Sequence, residues 1–350
     1  MIWVDQTLNE GLRIDMYKGN IDKVMDLLQE LQVGMIDCKV TEWQKYDVSM
    51  TNQLFPIQIR GKINMTVEDV ELAHQLGFES IMLTCIPTPG QAFIDQVNQA
   101  LLAARKFNMQ IALCIENASR FSVEELEGLW RELPAIEALT FVYSDGESLL
   151  NPLSAFTILR DLVSRLPNTV EFHGHNAYGL ATGNALAAIQ AGVKGIGVAV
   201  AGVGQYGNPS LEEIIMAQKC LLGQETPNTE KLAFLCSEVL SAIRVVIPGT
   251  KAIIGEDIFA HESGLHVDGV MKNPQIYEAF SPEDVGLARK IIIGKHSGTA
   301  SILAKFKQWN VVLTAIEVQY LLREVRKRAV LYKKSVDDAS LWELYQSRVV

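Results

Sequence analysis

The chain is short of cysteine and, on balance, of positive charge. Its five cysteines, Cys38, Cys85, Cys114, Cys220 and Cys236, are scattered and odd in number. No CxxC pair or zinc-ligand spacing occurs among them, so reduced, buried thiols of a cytoplasmic protein are the expectation. Acidic side chains outnumber basic ones by 41 to 31, for a formal net charge of -10. No overall field therefore draws in nucleic acid or an anionic membrane, and an anionic substrate would need a local basic or metal site. Long apolar runs are missing as well. None reaches the ~18 uninterrupted residues of a membrane span, and no basic stretch followed by an apolar run opens the sequence. Neither a membrane segment nor a signal peptide is expected. No glycine-rich phosphate fingerprint follows the first apolar run, which removes the main support for a dinucleotide-binding sheet.

What is present is a regular alternation. Of the 350 residues 48% are hydrophobic, enough for one large domain with an appendage or for two domains. Short apolar runs stand at 2–5, 35–39, 56–60, 80–85, 110–115, 138–143, 170–175 and 195–200. Each is rich in β-branched or aromatic residues and too short for a helix, so each reads as a strand. Amphipathic patterns at 20–31, 66–77, 122–133 and 210–222 read as helices, with Thr66 as an N-cap and Gly34, Gly77 and Gly192 as terminators. Eight strand–helix alternations in the first part of the chain predict a (β/α)₈ TIM barrel over residues 1–250, an open doubly wound sheet being the alternative. Residues 251–350 read as an appended, mainly helical C-terminal region. Its first part, 255–286, is irregular, and helices follow near 299–308 and 315–333. This region is expected to hold no large core of its own. Its basic run at 325–334 is expected to be a solvated helix face.

The run "VEFHGH" places His173 and His175 on one face of the seventh strand, at its C-terminal end, because side chains two apart point the same way. That end is where barrel active sites are built. Two imidazoles there, with Glu10 just past the first strand, form a candidate ligand set for a divalent cation such as magnesium, manganese or zinc. A hydrogen-bonded histidine pair in a polar cleft is the plainer alternative.

The stretches "HGHNAYGLATGNALAAIQAG", "AHESGLHVDGVMKNPQIYEAF" and "IIIGKHSGTA" together resemble the homocitrate, isopropylmalate and citramalate synthase family. The wording of 251–300 is most similar to homocitrate synthases of the nitrogen-fixation type. The resemblance implies a metal-containing barrel that condenses acetyl-CoA with a 2-oxo acid, such as 2-oxoglutarate, and releases CoA. By the same resemblance, Glu10, His173 and His175 match metal ligands, Asp37, Glu116 and Arg120 match pocket residues, and His266 and Tyr277 match residues of the cover. The cover commonly belongs to a neighbouring subunit, which implies a homodimer or a heteromer.

The opening motif departs from the family pattern. Where that pattern reads Asp-Thr-Thr-Leu-Arg-Asp-Gly, this chain reads Asp5-Gln6-Thr7-Leu8-Asn9-Glu10-Gly11. The arginine that would stabilise a developing alkoxide is Asn9, and losing such a donor costs roughly 2.7–4 kcal/mol. Asp37 stands where a glutamate is usual, and Ala201-Gly202 where Asn-Gly is usual. The cover, by contrast, keeps His261, Glu262, Gly264, His266, Tyr277 and the Lys295–Gly298 motif. The pattern is similar to an omega-type homocitrate synthase subunit, which works with a barrel-only homologous chain. The expectation is an acyltransferase subunit whose own barrel has lost catalysis and whose cover completes a partner's site. A self-sufficient synthase with altered substrate and a non-catalytic scaffold are the alternatives.

Overall fold

In the computed structural model, residues 1–46, 57–88, 90–133 and 139–347 are described. Eight parallel strands close into a barrel in chain order: β1 (Ile2–Asp5), β2 (Met35–Lys39), β3 (Gln58–Asn64), β4 (Ser80–Cys85), β5 (Gln110–Ile115), β6 (Thr140–Asp145), β7 (Val170–Gly174) and β8 (Gly195–Val198). Pairing of β1 with both β2 and β8 closes the ring. Closure, rather than an open sheet, follows from that register. Inside, Met82, Ala112, Cys114 and Val142 from β4, β5 and β6 form one apolar layer, the packing by which such barrels are filled.

Local signals set the helices. Thr66 accepts a hydrogen bond from the Asp69 N–H, and Ser122 with Glu125 forms a capping box. Gly192 ends its helix in the left-handed region, with φ of 98°. Pro56 and Ala138, at the starts of two expected strands, lie outside the described residues. One boundary differs in a way that matters. The third strand does not stop at Gly61 but runs on to Asn64. A Cβ on Gly61 would lie 2.7 Å from Val40 and 2.9 Å from Phe78. The glycine therefore admits close packing on the outer face instead of breaking the strand.

The chain divides into two compact units, Met1–Asn228 with Phe234–Ile247, and Thr229–Ala233 with Pro248–Val350. Against expectation, the second unit has a core of its own. Eleven buried side chains, among them Ile302, Phe306, Leu321, Val325 and Leu341, make one cluster. It is built by helices Thr299–Gln308, Ala315–Tyr332 and Asp338–Gln346. The last is capped by Asp337, whose carboxylate accepts the Ser340 N–H. The irregular stretch 255–286 contains a helix, Gly264–Lys272, and a short strand pair, Ala260–His261 with Lys290–Ile291. Among the described residues, no helix is long and apolar enough to cross a membrane.

Candidate functional site

At the barrel mouth the expected residues are near one another in the fold, but their side chains are turned to other tasks. Glu10 lies on the helix Thr7–Arg13, one turn before Arg13. Arg13 donates to both its oxygens, Nε to Oε2 at 2.9 Å and Nη2 to Oε1 at 2.5 Å. Asn9 accepts the Lys39 backbone N–H at 2.9 Å through Oδ1, which ties the end of β2 to this helix. Asp37 faces the barrel interior and is fully buried. Arg60 Nε and Nη2 donate to its two oxygens at 2.7 and 3.1 Å, and Gln6 donates at 3.0 Å.

Arg60 is the group that sequence reading passed over. It lies on β3, only 2% exposed, and its remaining donors reach Glu171 on β7 at 3.1 and 2.8 Å. One guanidinium thus bridges two buried carboxylates across the barrel. Burial would push Asp37 up, but the adjacent Arg60 charge and hydrogen bonds hold it below the ordinary carboxyl range. Arg60 itself is raised despite its burial, because both carboxylates favour its charge.

His173, in the layer above Glu171, is buried, and its Nε2 lies 3.6 Å from Asp37 Oδ2 with no hydrogen-bond partner among the described residues. Burial pulls its pKa down to about 3, so the ring is neutral, although Asp37 pulls the other way. His175 places Nδ1 3.1 Å from the Gly207 carbonyl, which leaves Nε2 open if Nδ1 carries the proton. Asp5 is fully buried, and desolvation raises its carboxyl to about 6 even though it accepts from Thr7 and the Leu8 N–H.

These donors do not fit a divalent cation as they stand. Among the described residues, no three His, Cys, Asp or Glu side chains are gathered so that they could hold one. Glu10, His173 and His175 do not form a set, because Arg13 takes Glu10. The unpartnered Nε2 of His173 is the single feature that suits a ligand.

Lys62 was also passed over. It follows Arg60 by two residues on β3 and so faces the same interior, half-buried and nearer the rim. It forms no hydrogen bond or ion pair among the described residues, yet its charge acts on both Asp37 and His173. With Lys39, Asn64, Thr84 and Glu116 it lines a cavity of about 270 Å³. Glu116 accepts the Ser144 hydroxyl at 2.9 Å. Arg120 points elsewhere: it is exposed and paired with Glu147 at 2.5 and 2.8 Å. Arg60 closed the expected strand and Lys62 lay beyond it, so the alternation of charged residues through Gly61 was not read.

The second unit is arranged differently. His266 and Tyr277 are both exposed, with ring centroids 4.7 Å apart. The Tyr277 ring packs over Gly269, where any Cβ would collide with it. Nearby, Arg289 holds Glu278 through both oxygens, and His261 Nε2 lies 3.6 Å from that carboxylate. Gly264 and Gly298 approach so closely that a Cβ on Gly264 would sit 2.7 Å from the Gly298 Cα. Across that contact Glu262 Oε1 accepts the His296 N–H at 2.8 Å. The segments around Glu262 and His296 are thereby tied together.

Comparison with known proteins agrees with this division. The HMGL-like family matches residues 1–239, and the homocitrate synthase post-HMGL domain-like family matches residues 253–333. The chain is 36% identical to 2-isopropylmalate synthase 2 of Caldanaerobacter subterraneus, over 99% of this chain and 95% of that one. It is 39% identical to homocitrate synthase 1 of a Nostoc species, over 95% of this chain and 91% of that one. Among solved structures, an HMG-CoA lyase from Bacillus subtilis matches with a TM-score of 0.57 at 16% identity, covering 70% of this chain and 91% of that one. That likeness speaks for the barrel fold alone.

Proposed function

Because the chain belongs to the HMGL-like family and carries the homocitrate synthase post-HMGL domain, we propose that it is an acyltransferase subunit acting in the condensation of acetyl-CoA with a 2-oxo acid, 2-oxoglutarate being the first candidate. In this reading its own barrel is not the catalyst. Its second unit covers the barrel of a homologous partner chain, and His266 takes or returns a proton there beside Tyr277. The observation that carries the reading is the fate of the acids. Glu10 is consumed by Arg13, and Asp37 and Glu171 by Arg60, whereas His266 and Tyr277 are left open at a surface. A carboxylate already neutralised by an internal cation is a poor ligand and a poor base.

One observation favours a second reading, a self-sufficient synthase. Lys62 is a cation at the barrel mouth with no ion-pair partner among the described residues, and it could stabilise an alkoxide in place of the arginine missing at position 9. One experiment separates the two. CoA release is followed with acetyl-CoA and 2-oxoglutarate, using the purified chain alone and mixed with a barrel-only homologue. The proposal expects turnover only in the mixture, reduced at least about a hundredfold by His266→Ala. Turnover by the isolated chain that is lost in Lys62→Met would replace the proposal with the second reading.

A further inference from the structure

The second unit carries more positive charge than the chain as a whole suggests. It holds 15 basic against 13 acidic side chains, and the barrel unit 16 against 28. Part of that surplus converges on a cavity. Helix Ala315–Tyr332 ends at Lys333, whose left-handed backbone, with φ of 52°, turns the chain back on itself. Lys333, Lys334 and Ser335 thereby meet Lys295 and His296, which arrive from the loop before helix Thr299–Gln308. Together with Glu262 they bound a cavity of about 380 Å³. A second cavity of about 260 Å³ shares Lys334 and Ser335 and adds Arg328, which pairs with Glu343, Tyr332, and Asp337, whose carboxylate caps helix Asp338–Gln346 and feels the Lys334 charge.

On the first wall, one oxygen of the Glu262 carboxylate accepts the His296 backbone N–H. Lys295, Lys333 and Lys334 have no hydrogen bond or ion pair among the described residues, and they stand exposed. Cations near a helix C-terminus are favoured by the helix dipole, which accounts for Lys333 and Lys334. It does not account for Lys295, which comes from a separate segment and brings a third lysine to a cavity whose lining holds one carboxylate, Glu262. Beside them the Tyr332 ring is 62% exposed, an aromatic face of the kind on which a nucleobase stacks. The two cavities together have the size of a small-molecule site.

We propose that these joined cavities bind a phosphorylated nucleotide, with phosphates against Lys295, His296, Lys333 and Lys334 and the base on Tyr332. The site lies wholly within the second unit and does not depend on the activity proposed above. The shared chemistry has two sources, a free nucleotide diphosphate or the nucleotide half of a CoA ester. Calorimetric titration of the full-length chain with ADP, adenosine 3′,5′-bisphosphate, pyrophosphate and adenosine tests it. Both nucleotides should bind, more weakly at high salt, and adenosine should not. The tighter of the two nucleotides identifies the source. Lys295→Ala with Lys334→Ala should weaken both by at least about tenfold, since each lost charged contact is of that order. Tyr332→Ala should weaken the nucleotides and spare pyrophosphate. The proposal is overturned if wild-type protein takes up neither nucleotide at millimolar concentration. It is also overturned if the double variant, shown to be folded by circular dichroism, binds as well as wild type. Tighter binding of a short RNA than of either nucleotide would make the surface an RNA track and overturn it equally.

Discussion

In the barrel, Arg60 sits between Asp37 and Glu171 with its side chain 3% exposed. In the second unit, Lys295, Lys333 and Lys334 stand at the surface without an ion-pair partner among the described residues. Both units belong to one chain and one family, yet they hold charge in opposite ways. In the barrel, Asp37 and Glu171 are turned inward and neutralised by Arg60. The second unit has kept polar groups open, at His266 and Tyr277 and again around Lys334. Charge that is buried and paired contributes to the fold, whereas charge that is exposed and unpaired is available to a ligand or a partner.

Removing the buried cation is the largest test of this contrast. Arg60→Met leaves two carboxylates in the barrel interior without the guanidinium that pairs them. Breaking such a pair costs about 3–5 kcal/mol, to be read from urea denaturation of the full chain. A triple variant that also carries Asp37→Leu and Glu171→Leu should recover most of that loss, because an apolar core of similar volume carries no desolvation cost. If Arg60→Met alone unfolds at the wild-type urea concentration, the barrel interior is wet and the account of its spent acids fails.

Asp5 supplies the next test, through pH. Its carboxyl titrates near 6 in the folded chain because burial disfavours the anion, against an ordinary value of about 4 when unfolded. The folded state therefore binds the proton more tightly, and this group's contribution to stability is full below about pH 4 and lost as pH rises through about 6. Asp5→Asn removes that dependence. Relative to this variant, wild type should lose about 2 kcal/mol between pH 4 and pH 7. His173, depressed to about 3 by burial, works in the opposite direction over an overlapping range, so the comparison must be with the variant and not with wild type at a single pH. Parallel stability curves for the two proteins would mean that Asp5 is solvated and charged in the fold.

How much of this was legible in the sequence depends on what the signal was. The barrel was legible because eight short apolar runs, each too brief for a helix, alternate with longer amphipathic ones. The shared face of His173 and His175 was legible because side chains two apart on a strand point the same way. The orientation of Glu10 was not, although Arg13 stands three residues on, because its pairing requires that the segment be helical directly after β1. Arg60 was the last residue of the expected third strand and Lys62 lay past its end, and the close contact of Gly61 with Val40 and Phe78 that carries the strand on belongs to the tertiary packing. The core of the second unit was missed because Asp338–Gln346, though it carries Leu341, Trp342, Leu344 and Tyr345, is too short to show a helical period. It becomes recognisable only when Leu341 and Leu344 pack on Phe306.

Arg120 gives the smallest expected effect and the cleanest control. Its geometry with Glu147 is as good as that of Arg60 with Asp37, two short N–H···O contacts to one carboxylate. The difference is solvent: its side chain is 63% exposed. Water screens such a pair, and holding two long side chains together offsets much of what remains. Arg120→Ala should leave the thermal midpoint within about 1 °C of wild type, a shift at the edge of measurement for a chain of this size. The two arginines then differ in burial while sharing chemistry and geometry. A large loss at Arg120 would mean that ion-pair geometry, and not burial, decides what a charge contributes in this molecule, and the contrast between the two units would lose its physical basis.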